Sequence, residues 1–169
     1  MAKGSKAKKF STTTKKDNLL NYSADSLDLS TYENAKETNM VSIKYSKYRT
    51  ANYVYDSKTK TYLRSMNDKA NTDLVTNEQY SAKNIIVYGV NYTTYSYQGY
   101  NGYQKIDNIG TGEGYYISEG YSVPITWEKK SEYAQTKYTI TATGEELVVN
   151  DGNTYIQIYP SNKGELKMA

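Results

Sequence analysis

The sequence predicts a mainly β fold, either an antiparallel sandwich or a partly closed barrel of about ten short strands. From Val41 onward, apolar and polar residues alternate with a period of two, as in strands that bury one face. Turn-forming residues interrupt these runs about every 8–12 residues. The run from Ile85 to Tyr88 is apolar throughout and predicts a strand buried on both faces. These patterns define a β domain over residues 41–160.

The two ends of the chain are predicted to lie outside this domain. Residues 1–18 are rich in Lys, Ser and Thr and hold almost nothing apolar except Phe10, which predicts a disordered, flexible basic arm. Residues 19–40 carry scattered leucines in polar surroundings and are predicted to be an irregular linker that packs on the domain. Pro160 ends the last predicted strand, so residues 161–169 are expected to be a tail.

Within the domain, turn signals separate the predicted strands from one another. Residues 56–60 are turn-rich and lie between two short runs of strand formers, which predicts a hairpin. Tyrosines scattered among small polar residues from 91 to 105 predict an extended aromatic hairpin. The predicted strands lie at residues 41–45, 53–55, 61–63, 85–88, the two arms of 91–105, 115–117, 123–127, 137–141, 146–149 and 155–159.

Residues 110–127 are predicted to be the hairpin around which the core forms. A Gly-rich opening leads into one strand, and Ser118-Glu119-Gly120 supplies the turn. On the returning strand Val123, Ile125 and Trp127 share one face. Trp127 is the only Trp of the chain. Its full burial would contribute at most about 4–6 kcal/mol, so we place it at the centre of the core.

Composition excludes several classes of site. The chain has no Cys and no His, which removes the usual ligands of zinc and haem and the bases of Ser-His-Asp and Cys-His catalysis. We expect no metal, no cofactor and no catalytic residues.

The net charge of +3 arises from the arm, since residues 17–169 hold 15 basic against 18 acidic residues. Lys105 is the only basic residue from 84 to 128, which disfavours nucleic acid as a partner.

Three patterns that carry chemistry in other proteins are weak here. Gly110–Gly114 lacks the Lys-Ser/Thr and the helix that follow a phosphate-binding loop. Glu145 and Glu146 are adjacent, so on a strand they point to opposite faces and cannot form a glycosidase pair alone. The polar loop with Asn71, Asp73, Asn77 and Glu78 lacks the spacing of a calcium loop, and turn formation explains these residues.

Aromatic residues are the best candidates for ligand binding. Tyrosine rings stack on sugars or bases, although cross-strand tyrosine pairs also stabilise small sheets without any ligand. Arg64 ends a predicted strand and suits an anion, with a structural ion pair as the alternative. The predicted ligand-binding residues are Tyr95, Tyr97, Tyr100, Tyr103, Tyr116, Arg64, Asn71 and Asp73.

Five motifs in order resemble the C-terminal region of the YerB-like lipoproteins of Gram-positive bacteria, over roughly residues 41–160. They are Tyr53–Arg64, Ala82–Val87, Gly112–Tyr116, Ile125–Trp127 and Gly152–Pro160. The resemblance implies a parent protein outside the cytoplasm, tethered to the membrane through a lipid anchor, and it implies no reaction. The larger N-terminal region of the family is missing, as in an excised domain or a short relative. Where family members tend to carry a His, this chain has Asn71.

Three functions remain open on these grounds. The first is a non-catalytic cell-envelope domain that binds a cell-wall glycan or peptide through an aromatic surface. The second is a purely structural or protein-interaction module, whose partner would be another envelope protein. The third is an envelope hydrolase, which would require two carboxyl groups that converge in a cleft.

Overall fold

A computed structural model describes residues 19–169, and the basic arm predicted over residues 1–18 lies outside the described residues. The described chain is mainly β, which confirms the predicted fold class, and none of its sheets closes into a barrel. A single 3-10 turn, Leu29–Thr31, is its only helical element. The strands are β1 Asn21–Ser23, β2 Lys36–Glu37, β3 Met40–Ser46, β4 Arg49–Asp56, β5 Thr61–Met66, β6 Lys69–Ala70, β7 Ser81–Ala82, β8 Asn84–Val90, β9 Tyr92–Tyr97, β10 Tyr100–Ile106, β11 Gly110–Ser118, β12 Tyr121–Lys129, β13 Lys137–Ile140, β14 Val148–Asn150, β15 Thr154–Pro160 and β16 Glu165–Met168.

Two six-stranded sheets form the body of the domain. In the central sheet the strand order is β13-β12-β11-β8-β15, and β2 pairs with β12. In the outer sheet the order is β16-β3-β4-β5-β6, and β7 pairs with β5. Most pairs are antiparallel, but β15 runs parallel to β8 and the small pair β1–β14 is also parallel. The fold therefore has more strands than the predicted ten, and it combines antiparallel with parallel pairing.

The central sheet is buried on both faces, as the apolar run in β8 predicts. Ile85 and Val87 face the outer sheet, whereas Ile86 and Tyr88 face the opposite side. The first core, between the two sheets, is built from buried residues Val41, Ile43, Ala51, Tyr53, Tyr62, Ala82, Ile85, Val87 and Ile117. The second core includes Trp127 and is covered by Leu20, Leu29, Leu147 and Val149. Residues 19–40 thus supply part of the cover of this second core.

The C-terminal residues are integrated into the outer sheet. Strand β16 pairs antiparallel with β3, and Leu166 lies opposite Ile43 in the register. Leu166 and Met168 pack against the first core. Residues 161–169, which the sequence predicts as a tail, therefore contain an edge strand. The sequence gives little sign of it, because its two apolar residues alternate with charged ones over only four positions.

Candidate ligand-binding surface on a tyrosine hairpin

Strands β9 and β10 form a two-stranded ribbon, the tyrosine hairpin, that pairs with no other strand of the described chain. Gln98 and Gly99 make its turn with φ of 49° and 78°, the positive values that a tight two-residue hairpin requires. Tyr97 pairs with Tyr100 beside the turn, and Tyr95 pairs with Tyr103 below it. The extended aromatic hairpin expected from the sequence is therefore present.

A β-bulge brings four tyrosines to one face of this ribbon. Strict alternation would place residues 100 and 103 on opposite faces, but the register shifts between them and Gly102 has φ of 98°. The rings of Tyr95 and Tyr103 lie 5.8 Å apart with planes tilted by 32°, and Tyr97 meets Tyr103 edge-on at 6.4 Å. These tyrosines pair across the strands and still expose 44–69% of their surface. The four tyrosines therefore form cross-strand pairs and remain accessible to a ligand at the same time.

The opposite face of the tyrosine hairpin is polar. Thr94 and Gln104 exchange hydrogen bonds across the strands, and the Ser96 hydroxyl donates to Asn101. Lys163, in the β15–β16 connection, donates to the Thr94 hydroxyl at 2.9 Å. The two faces thus differ chemically, and this hydrogen bond from the β15–β16 connection is made on the polar one.

Tyr92 anchors the base of the hairpin to the body. Its hydroxyl donates to the Ile158 carbonyl at 2.9 Å, and burial raises the pKa of this phenol. The Asn162 side chain accepts from the Tyr92 N–H and donates to the Tyr92 carbonyl. A tyrosine at the start of the hairpin is thus structural, while the tyrosines beyond it are exposed.

A cavity of about 390 Å³ opens near this base. Ser161 lines it and also donates its backbone N–H to Val90, directly before the hairpin. The rings of Tyr115 and Tyr159 contribute to the wall, and Glu113 is the one carboxylate among the lining residues. Sequence reasoning missed this cavity, since its residues come from five strands and two connections. A paired-carboxylate glycosidase centre is not assembled there.

Arg64, Asn71 and Asp73 lie apart from the hairpin, around the end of β5. The Arg64 carbonyl accepts from the Asn71 N–H at 3.1 Å, and the Asn71 carbonyl accepts from the Tyr80 N–H. Asp73 accepts from the N–H groups of Val75 and Thr76 and from the Tyr80 hydroxyl. The two backbone hydrogen bonds lower the pKa of Asp73 more than the Tyr80 bond does. Asp73 therefore fixes its own turn, and residues 19–169 contain no cluster of three acidic residues suited to a metal.

Tyr116 does not belong to a binding surface. The sequence predicts it among the ligand-binding residues, but the structure leaves it 0% exposed. Its hydroxyl donates to Asn84 Oδ1 at 2.8 Å and accepts from the Asn150 N–H at 2.9 Å. Alternation on β11 decides this, because Tyr116 faces the second core while Tyr115 faces the other side and lines the cavity.

Comparison with known proteins places this architecture in a family. A search of the curated proteins found no match. The structure is similar to the crystal structure of the YerB protein from Bacillus subtilis, with a TM-score of 0.65 and 22% sequence identity over 88% of this chain. The chain spans 46% of the length of that protein, and the similarity shows a shared fold. Residues 41–156 match the C-terminal domain of DUF3048, described as a protein of unknown function. The chain therefore belongs to the DUF3048 C-terminal domain family.

Proposed function

We propose that this chain is a non-catalytic, extracytoplasmic domain of a cell-envelope lipoprotein that binds a cell-wall glycan, or the peptide attached to it. The tyrosine face of the hairpin is the binding surface in this proposal. Four half-exposed tyrosines on one face of a ribbon are the single observation that carries it. Contiguous exposed apolar surface of this kind marks interaction sites more often than it serves stability.

The chemistry of this face suits a sugar. The tilted Tyr95–Tyr103 pair presents ring surface for stacking, and the phenol hydroxyls supply hydrogen bonds at its border. Lys105, which pairs with Thr93 on the same side of the ribbon, adds a cation at the base of the face. Near the base of the hairpin, the cavity of about 390 Å³ has a volume that binding pockets commonly have, but none of its lining residues belongs to the hairpin.

The location outside the cytoplasm rests on the family. The YerB-like resemblance implies a lipid-anchored parent protein, and the DUF3048 match supports the same relationship. Within residues 19–169, no helix has the length and apolar character to span a membrane. In this proposal the contact with the membrane is made by a lipid anchor on the parent protein.

Retention on insoluble peptidoglycan tests the proposal. The full chain is expected to sediment with peptidoglycan, and the double variant Tyr97→Ala, Tyr100→Ala should lose most of this retention. The matched control is Tyr48→Ala, Tyr133→Ala, which removes two tyrosines that are even more exposed but lie outside the hairpin. The control should be retained like the unmodified chain.

Titration with soluble muropeptides, followed by NMR, locates the surface. Saturable shifts clustered at Tyr95, Tyr97, Tyr100 and Tyr103 are expected. Equal loss of retention in both double variants would indicate nonspecific aromatic adsorption and overturn the proposal. If the unmodified chain is not retained and no shift appears at saturating ligand, the hairpin is a structural or protein-interaction element instead.

A further inference from the structure

Arg64 occupies an unusual position for a cation. It lies opposite Tyr53 in the β4–β5 pair, on the face of the outer sheet that forms the first core. It is partly buried, yet it joins none of the ion pairs formed within residues 19–169. The sequence left a structural ion pair as the alternative role for Arg64, and no such pair is formed within residues 19–169. Burying a charge without a counter-charge is costly, and an external anion would offset that cost.

The guanidinium is held by aromatic residues. Its Nε donates to the Tyr53 hydroxyl at 3.2 Å, and its central carbon lies 5.8 Å from the centre of the Tyr155 ring. The Tyr53 and Tyr155 rings are 6.1 Å apart, so the three side chains form one cluster. This arrangement fixes the plane of the guanidinium and uses only one of its five N–H groups within residues 19–169. The remaining N–H groups reach solvent, because no Nη atom of Arg64 is buried without a partner.

The groups next to Arg64 are also donors. Tyr45 donates its proton to Gln157 Oε1 at 2.5 Å, which leaves the Gln157 amide NH₂ without an acceptor in the described chain. Gln157 and Tyr155 lie two residues apart on the same side of β15. The Tyr155 hydroxyl and the proton of Tyr53 likewise have no acceptor within residues 19–169. Burial raises the pKa of both Tyr45 and Tyr53, so these phenols keep their protons.

We propose that Arg64, Tyr53, Tyr155 and Gln157 form a binding site for an oxyanion, a carboxylate or a phosphate group of a ligand. A preset guanidinium surrounded by free N–H and O–H donors complements an acceptor-only group. Asp68, the nearest acidic residue in sequence, accepts from the Asn52 side chain and forms no ion pair within residues 19–169. Asp73 is already occupied by Val75, Thr76 and Tyr80. The site does not rest on the tyrosine hairpin, and it would hold a charged group whether or not that hairpin binds glycan.

The two arginines of the chain provide the readout. Arg64 and Arg49 give the only two Arg Nε–H signals in a ¹⁵N NMR spectrum, and Arg49 is exposed on the first residue of β4. The full chain is titrated at constant ionic strength with acetyl-Ala-Ala, with its C-terminal amide, and with inorganic phosphate. We expect a saturable shift of the Arg64 signal with acetyl-Ala-Ala or with phosphate, no shift with the amide, and an unmoved Arg49 signal. Saturation with acetyl-Ala-Ala would identify the ligand group as a carboxylate, and saturation with phosphate would identify it as a phosphate group.

Variants separate this site from the hairpin. Arg64→Gln should weaken anion binding at least about tenfold, read from the amide signals of Tyr53 and Tyr155, because a charge-assisted hydrogen bond is lost. The matched control Arg49→Gln should bind like the unmodified chain. The double variant Tyr97→Ala, Tyr100→Ala should keep the full Arg64 response even if it loses peptidoglycan. Equal, linear shifts of both arginine signals with every salt, or no saturable shift with either anion, would overturn the site.

Discussion

Gly112 lies opposite Trp127 in the β11–β12 pair, and the missing side chain at 112 leaves room for the indole. A Cβ at position 112 would lie 2.7 Å from Nε1 and 2.9 Å from Cε2 of that ring. Trp127 is 4% exposed, and its ring lies 5.0 Å from the ring of Tyr88 in the second core. Gly112, in the Gly-rich approach to this hairpin, therefore serves packing of the indole.

Gly112→Ala should destabilise the fold by about 1–3 kcal/mol, the usual cost of forcing extra volume into a packed core. The indole must shift, because the whole edge that carries Nε1 stands in the way. Urea unfolding measures the change, with Thr111→Ala as the exposed neighbouring control. Equal stability of the two variants would show that the indole moves freely.

Trp127→Ala should cost about 3–5 kcal/mol, because it leaves a large cavity in the second core. Trp127→Phe should lower the free energy of unfolding by clearly less than Trp127→Ala does. Trp127 Nε1 is the one buried side-chain polar atom without a partner within residues 19–169, so the smaller ring gives up no hydrogen bond. Melting temperatures of the three proteins should therefore fall in the order native, Phe, Ala. A value for Trp127→Ala within a few degrees of native would place Trp127 outside the core.

Tyr116→Phe should cost about 1–3 kcal/mol, because it leaves the Asn150 N–H and Asn84 Oδ1 buried without this partner. Tyr133→Phe removes a hydroxyl from a residue that is 93% exposed and should be neutral. Chemical denaturation compares the two changes. The Tyr116 variant should still bind peptidoglycan if it remains folded, since Tyr116 is not on the surface.

Glu119 should make the free energy of unfolding depend on pH in the acidic range. It accepts from Ser26 Oγ at 2.8 Å and from Lys83 Nζ at 2.5 Å, and Lys60 lies 3.5 Å away. Burial opposes its charge, but these hydrogen bonds and lysine charges outweigh burial and lower the pKa of Glu119. A lowered pKa in the folded state stabilises the protein above the unfolded-state pKa of about 4.3, and that contribution is lost as the pH falls through the folded-state pKa.

Urea unfolding from about pH 7 to about pH 3 tests this linkage. The stability advantage of the native chain over Glu119→Gln should shrink on acidification. Glu113→Gln is the matched control, since Glu113 forms no ion pair within the described part of the chain and should show a constant difference. Asp56 also has a lowered pKa, caused first by the Lys58 N–H, so some acid dependence should survive in both variants.

Deleting residues 164–169 should destabilise the domain by about 2–4 kcal/mol, because Leu166 and Met168 leave the first core. The loss also uncovers the edge of β3. Removal of residues 1–16 is expected to leave stability nearly unchanged, since they contain little to bury. Calorimetry of the two truncated chains compares the ends directly, and equal melting temperatures would contradict the role assigned to β16.

Local pattern predicted a large part of this fold. The period-two alternation of β3 and β12, the turn at Ser118–Gly120 and the apolar run of β8 all correspond to observed features. The tyrosine hairpin also follows from its own residues, since its turn chemistry and strands lie within fifteen positions of each other. Such features depend on neighbours in the chain, which the sequence displays directly.

Long-range pairing required the tertiary structure. The parallel β15–β8 pair joins Ile156 to Ile86, and β16 joins Leu166 to Ile43, contacts between residues far apart in sequence. The sequence shows that Tyr115 and Tyr116 point to opposite faces of β11. Which of these two faces is fully buried depends on the other strands and loops that pack against each face. The sequence by itself thus determined the strands, the turns and the tyrosine-rich ribbon. Only the tertiary structure decided that Tyr116 is core and that Arg64 stands among free donors, because burial and partnership depend on which distant strands meet.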